Sequence, residues 1–177
     1  DADAESWEPA ISRNGRFVVF TSRATNLRES GVPQPPLTQW ATTVFIRDLD
    51  AGVTEAASLK DDANTGWPYS PQEDSFRGSV SDDGRFVGFS SSAWNLVLPT
   101  TARRSNAYVR DRATGRTILA SPTDPGATDC GRPGVQFDCI ASVPLPFARI
   151  SGDGRYLVYS SRSLQLMPAN LYHGDQI

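Results

Sequence analysis

Residues 81–96 read SDDGRFVGFSSSAWNL, and the chain writes nearly the same sentence twice more, as SRNGRFVVFTSRATNL at 12–27 and SGDGRYLVYSSRSLQL at 151–166. Superposing the copies puts Ile11, Val80 and Ile150 at equivalent places, 69 and then 70 positions apart. A spacing of that size marks a repeated supersecondary unit, and the fold follows from what one unit is. In each copy an apolar residue and a serine lead into Asn14-Gly15, Asp83-Gly84 or Asp153-Gly154. Asn-Gly and Asp-Gly are the strongest short hairpin signals. A two-residue type I′ turn, with both central residues at positive φ, is expected at each.

The strand leaving that turn is apolar without alternation: Phe17-Val18-Val19-Phe20, Phe86-Val87-Gly88-Phe89 and Tyr156-Leu157-Val158-Tyr159. A half-solvated strand alternates apolar with polar residues, so an unbroken run predicts cover on both faces. A second phrase follows in two copies, VFIRDLDAGVTEAAS from Val44 and AYVRDRATGRTILAS from Ala107. It supplies two further strands around Ala51-Gly52 and Thr114-Gly115, with Asp48 and Asp111 placed to accept hydrogen bonds from the turns that follow them.

Four antiparallel strands per unit, covered by neighbouring units above and below, describe a blade of a β-propeller. The predicted fold is all-β, a partial propeller of about two and a half four-stranded antiparallel blades. Blade 1 is expected at about 7–59, blade 2 at about 76–121, a cysteine-containing insertion at 122–146 and half of blade 3 at about 147–177. Four blades of this size would need on the order of 280 residues, so a ring is not expected from this chain alone. The lead DADAESWEPAIS enters an innermost strand and has no spare outer strands with which to finish another copy's third blade. The expectation is a processed chain or an excised piece whose remaining blades come from a longer polypeptide, with further copies of the chain as the alternative partner.

The hairpin phrase followed by the Arg-Asp phrase resembles the TolB-like, WD-like propeller repeats of bacterial periplasmic and secreted proteins. That resemblance implies the propeller fold and an envelope or extracellular setting. Members often carry a Gly-, Asp- and Asn-rich connection after the Asn-Leu pair. Here the connections are RESGVPQPPLTQWATT and VLPTTARRS, so an ion-binding role for those loops does not carry over.

Composition bounds the partners. The 177 residues are 38% hydrophobic and 21% charged, with a net charge of -3. Basic residues are scattered rather than clustered, which argues against nucleic acid, and no apolar run approaches the ~20 residues of a membrane span. Cys130 and Cys139 lie in DCGRPGVQFDC, where Gly131, Pro133 and Gly134 allow the chain to fold back. A disulfide is expected there, which favours a secreted, periplasmic or cell-surface protein; a zinc pair and two separate thiols are the alternatives.

Candidates for chemistry are few. His173 is the single histidine and stands in a terminal connection with no GxSxG nucleophile to serve, so no catalytic residue is predicted. Asn14, Gly15, Asp83, Gly84, Asp153 and Gly154 are read as structural turn residues. KDDANTGW offers Asp61, Asp62 and Asn64 as a weak calcium candidate, but no glutamate closes the loop, and a solvated loop is the better reading. Trp7, Trp40, Trp67 and Trp94 fall in or beside loops, as packing over blade ends or as a sugar-stacking platform. The expected function is a non-catalytic structural or interaction module without a cofactor. The alternatives are the accessory propeller of an extracellular hydrolase or polysaccharide-active enzyme, and a subunit of a fibre or surface layer.

Overall fold

The computed structural model describes residues 2–27, 41–61, 74–93, 96–97, 105–121 and 147–160. Cys130, Cys139, His173, Asp62, Asn64, Trp40, Trp67 and Trp94 lie outside them, as does the insertion at 122–146.

The described chain is all-β. Strands β1 (Ser6–Ile11), β2 (Phe17–Ser22), β3 (Thr43–Asp48) and β4 (Val53–Ala56) form one antiparallel sheet in sequential order. Strands β5 (Ser75–Val80), β6 (Phe86–Ser91), β7 (Asn106–Asp111) and β8 (Arg116–Leu119) form a second with the same order. Strands β9 (Ala148–Ile150) and β10 (Leu157–Tyr159) form a separate hairpin. Four-stranded meanders stacked face to face are propeller blades, and here β5 packs against β1, β2 and β3, while β9 packs against β5 and β6.

The repetition extends to hydrogen bonds that the sequence only hints at. Ser22 Oγ and Ser91 Oγ, the serines closing each apolar run, accept the N–H of Ala24 and Ala93 and donate to the carbonyls of Glu5 and Asp74. Ser58 Oγ and Ser121 Oγ accept from Val44 N and Ala107 N at 3.0 and 2.9 Å, tying the outermost strand back to the third. A serine buried without a partner would cost about 1–3 kcal/mol, so these positions call for a hydroxyl.

The innermost strand of each four-stranded sheet is broken by a bulge, between Trp7 and Ala10 in β1 and between Phe76 and Ser79 in β5. Glu8 and Arg77 occupy the bulges at φ 54 and 56, a region that costs most side chains energy. The two side chains meet: Arg77 N donates to Glu8 Oε2 at 3.0 Å and the guanidinium lies 3.4 Å from Oε1.

The core lies between the two sheets. Phe17, Val19, Val44, Ile46 and Ala57 of blade 1 pack against Val80, Val87, Phe89, Leu96 and Tyr108 of blade 2. Tyr108 stacks on Phe89 at 5.6 Å and donates to Ala93 O at 3.4 Å, and burial pushes its phenol up to about 12. Two-sided cover of the apolar run holds only for β6. Val87 and Phe89 face blade 1, whereas Gly88 faces Leu157 and Ile150 of the third hairpin. In that third hairpin the expectation fails on one side, since Tyr156 and Val158 are each 61% exposed. Their strand has a neighbouring sheet on one face only among the described residues.

Candidate functional site

The three hairpin turns come together at one end of the blade stack, and each is built identically. Ser12 Oγ donates to Asn14 Oδ1 at 2.6 Å and accepts from Phe17 N at 2.9 Å, while Arg16 N donates to the same Asn14 oxygen at 3.1 Å. Ser81, Asp83, Arg85 and Phe86 repeat this network, as do Ser151, Asp153, Arg155 and Tyr156. Positive φ falls on Gly15, Gly84 and Gly154 alone, at 78, 71 and 71 degrees. The predicted type I′ turn is therefore corrected to a longer loop, in which Gly15 N donates to Ser12 O and the glycine by itself takes the left-handed conformation. The reason lies in the Asn or Asp oxygen. It accepts from the serine before it and from the amide two residues on, which holds that residue at ordinary negative φ.

The glycine also serves the neighbouring blade. A Cβ on Gly84 would stand 2.4 Å from the Phe17 ring, and one on Gly154 would stand 2.5 Å from Phe86. The aromatic of one copy of the phrase thus lies on the glycine of the next. Polar bonds follow the same step: Asp82 Oδ1 accepts from Arg13 N at 3.0 Å, Asp82 O accepts from Asn14 Nδ2 at 2.7 Å, and Asp82 N donates to Gly152 O at 2.8 Å.

The arginine after each glycine joins the two phrases. Arg16 makes a two-pronged contact with Asp48 at 2.9 and 2.8 Å, and Arg85 does the same with Asp111. Those guanidinium hydrogen bonds hold both carboxyls well below the usual carboxylate range. Asp48 also accepts from Asp50 N and Ala51 N, and Asp111 from Ala113 N, as predicted for residues that begin a turn. Asp83 and Asp153 are lowered too, first by the serine hydroxyl and then by the backbone amide. All four stay ionised through neutral pH, so they can accept hydrogen bonds but have no proton to give as general acids.

Between the turns lies an open concavity of about 840 Å³, lined by Arg13, Asp82, Asp83 and Asp153 together with Ile11 and Tyr156. Ile11 and Tyr156 are 62% and 61% exposed. Asp83 and Asp153 accept within their own turns, and Asp82 accepts from the turn of blade 1. Among the described residues no group of three His, Cys, Asp or Glu side chains is arranged to hold a metal ion.

No family model matches this chain, and no curated protein matches it. Among solved structures it is similar to TolB from Acinetobacter baumannii, at 14% identity and a TM-score of 0.42 over 89% of this chain. The chain spans 27% of the length of that structure. The likeness is one of fold; the blades are recognised from the chain's own sheets.

The remaining candidates fall out as follows. Asp61 is buried beside blade 2, where the Arg116 guanidinium donates to Oδ1 at 2.8 Å, and Asp61 N donates to Leu96 O. A carboxylate taken up by a guanidinium offers less to calcium. Trp7 is half-buried with Arg23 5.7 Å from its ring centre. Arg112 was not singled out by sequence reasoning, yet it joins the blades: it contacts Gly84 O and Glu55 and lies 5.9 Å from the Phe17 ring centre. The blade 1 equivalent is Leu49, so the shared Arg-Asp phrase carried no signal for Arg112.

Proposed function

We propose that this chain is a non-catalytic structural and interaction module, a segment of a secreted, periplasmic or cell-surface propeller. The observation that carries the reading is the use of the recurring polar residues. Each Ser and each Asn or Asp of the phrase that could have marked chemistry is bound within its own turn, and Arg16 and Arg85 are bound to Asp48 and Asp111 of the same blade. The rim they form carries both aspartates and arginines, held by hydrogen bonds, and exposed apolar groups stand beside it. Such a surface suits recognition better than proton transfer. The resemblance to TolB-like repeats and the Cys130, Cys139 spacing support an oxidising, extracytoplasmic setting.

The test is a pair of substitutions. Asn14 already performs in blade 1 the task of Asp83 in blade 2, using an amide oxygen. Asp83→Asn is expected to keep wild-type stability within about 0.5 kcal/mol. Asp83→Ala, which strips the partner from Ser81 and Arg85, is expected to lose about 1–2 kcal/mol in urea denaturation. A gain in stability with Asp83→Ala, the behaviour of a carboxylate kept for chemistry at the expense of the fold, overturns the reading.

A further inference from the structure

Asn14 stands where the other two turns carry Asp83 and Asp153. The side-chain oxygen does the same work in all three, accepting from the serine hydroxyl two residues before it and from the amide two residues after it. The Asn14 nitrogen does what no ionised aspartate can: Nδ2 donates to Asp82 O at 2.7 Å across the blades. Arg13 N on Asp82 Oδ1 at 3.0 Å and the Phe17 ring on Gly84 complete that contact. At the next junction the backbone makes the bond instead, Asp82 N donating to Gly152 O at 2.8 Å, and the residue in the place of Asp82 is a glycine without a carboxylate. An amide is therefore used where blade 1 meets blade 2, and an acid serves where blade 2 meets the third hairpin.

Asn14 also precedes Gly15, and an asparagine before a glycine is the pair most open to spontaneous deamidation, because no side chain shields the following nitrogen. Gly15 N attacks Asn14 Cγ, a new C–N bond closes a five-membered succinimide, and the Cγ–Nδ2 bond breaks. The nitrogen leaves as ammonia with the proton from Gly15 N. Water then opens the ring, at Cγ to give aspartate or at the main-chain carbonyl to give isoaspartate. Every group the first step needs is held in the docked blades: Gly15 N donates to Ser12 O at 2.9 Å, Oδ1 accepts from Ser12 and Arg16, and Nδ2 is bound to Asp82 O. From this we infer that Asn14 is a deamidation site guarded by the docking of blade 2 on blade 1, and that its conversion loosens that docking for good. Aspartate at position 14 keeps the turn, as the turn around Asp83 demonstrates, but it sets an acceptor against the acceptor Asp82 O. Isoaspartate routes the main chain through Cγ and disturbs the turn as well. The acid does not return to the amide, so conversion leaves a permanent mark on a molecule whose blades have parted.

The experiment follows conversion of Asn14 at neutral pH by peptide mapping, reading the mass gain from amide to acid and the isoaspartate content, in three samples: the wild-type chain, its Phe17→Leu variant, and a free peptide with the sequence of residues 11–18. The peptide is expected to convert fastest and the wild type at least fivefold more slowly. Phe17→Leu keeps an apolar side chain but removes the ring from Gly84, and should convert at least threefold faster than wild type. A wild type within fivefold of the peptide, or a Phe17→Leu variant no faster than wild type, overturns the guard. If Phe17→Leu does not fold, wild type in urea below its unfolding midpoint takes its place and must show the same acceleration. The consequence is read by hydrogen exchange in Asn14→Asp. The Arg13 amide, bonded across the blades to Asp82, should exchange at least threefold faster, while the Gly15 amide, bonded inside the turn to Ser12 O, keeps its rate. An Arg13 amide that keeps its protection overturns the loosening, and so does loss of protection at both amides, since an aspartate at this place is then shown to break the turn itself.

Discussion

Gly15 and Gly84 hold the same place in the same turn with nearly the same φ, yet one borders open space and the other lies under the Phe17 ring. Phe17 and Tyr156 form the matching pair: equal positions in the phrase, 5% against 61% exposure. Within blade 2 both halves are satisfied, with a ring from blade 1 on its glycine and its own Phe86 on Gly154. What separates the copies is the neighbour, since their local chemistry is the same. A repeated phrase therefore encodes a contact, and the position of a copy in the stack decides whether that contact is made.

Truncating the aromatics should expose this difference most strongly. Phe17→Ala is expected to cost about 3–5 kcal/mol in urea denaturation, as a buried phenyl does, whereas Tyr156→Ala in dilute solution should change stability by less than about 0.5 kcal/mol. Equal costs would break the comparison.

The glycines come next. Gly84→Ala combines an unfavourable left-handed alanine with a Cβ forced into the Phe17 ring, and about 3 kcal/mol is expected. Gly15→Ala carries the φ term alone, about 1–2 kcal/mol. The gap between the two substitutions measures the ring contact, and Phe17→Ala should narrow it in a double-mutant cycle.

The smallest effect concerns a feature on which the blades do not differ. Asp48 and Asp111 are each clasped by an arginine, and each folded-state carboxyl titrates below the unfolded value near 3.9. The unfolded chain therefore binds protons first, and the stability these clasps supply is present above about pH 4 and lost as pH falls further toward the folded values. Asp48→Asn and Asp111→Asn should each be less stable than wild type at pH 7, with a deficit that shrinks on acidification from pH 5 to pH 2. Similar acid limbs in both variants would sharpen the contrast, placing the inequality of the blades in their faces rather than in their clasps.

Much of this was legible before any coordinates. The seventy-residue spacing, the Ser-Asp-Gly-Arg turns and the unbroken apolar runs led to four-stranded antiparallel blades, and the two sheets follow that order. The turn type was not legible, because Asn-Gly and Asp-Gly fit two loop lengths; the serine two residues before the Asn or Asp selects the longer one by supplying its hydroxyl. The pairing of Arg16 with Asp48 and Arg85 with Asp111 could have been inferred, since both phrases keep those residues, although they stand 32 and 26 positions apart. Glu8 with Arg77 could not, because they hold the same place in two blades, and a pair between equivalent positions is not written in either copy alone.

By itself the sequence determined the unit: strand periodicity, turn chemistry and serine placement act over a few residues, where side chain and backbone are close whatever the rest of the chain does. Only the tertiary structure decided which copy is covered. Stacking brings residues some seventy positions apart into contact, so the Phe17 ring reaches Gly84 while Tyr156 and Gly15, written in the same words, are left facing outward.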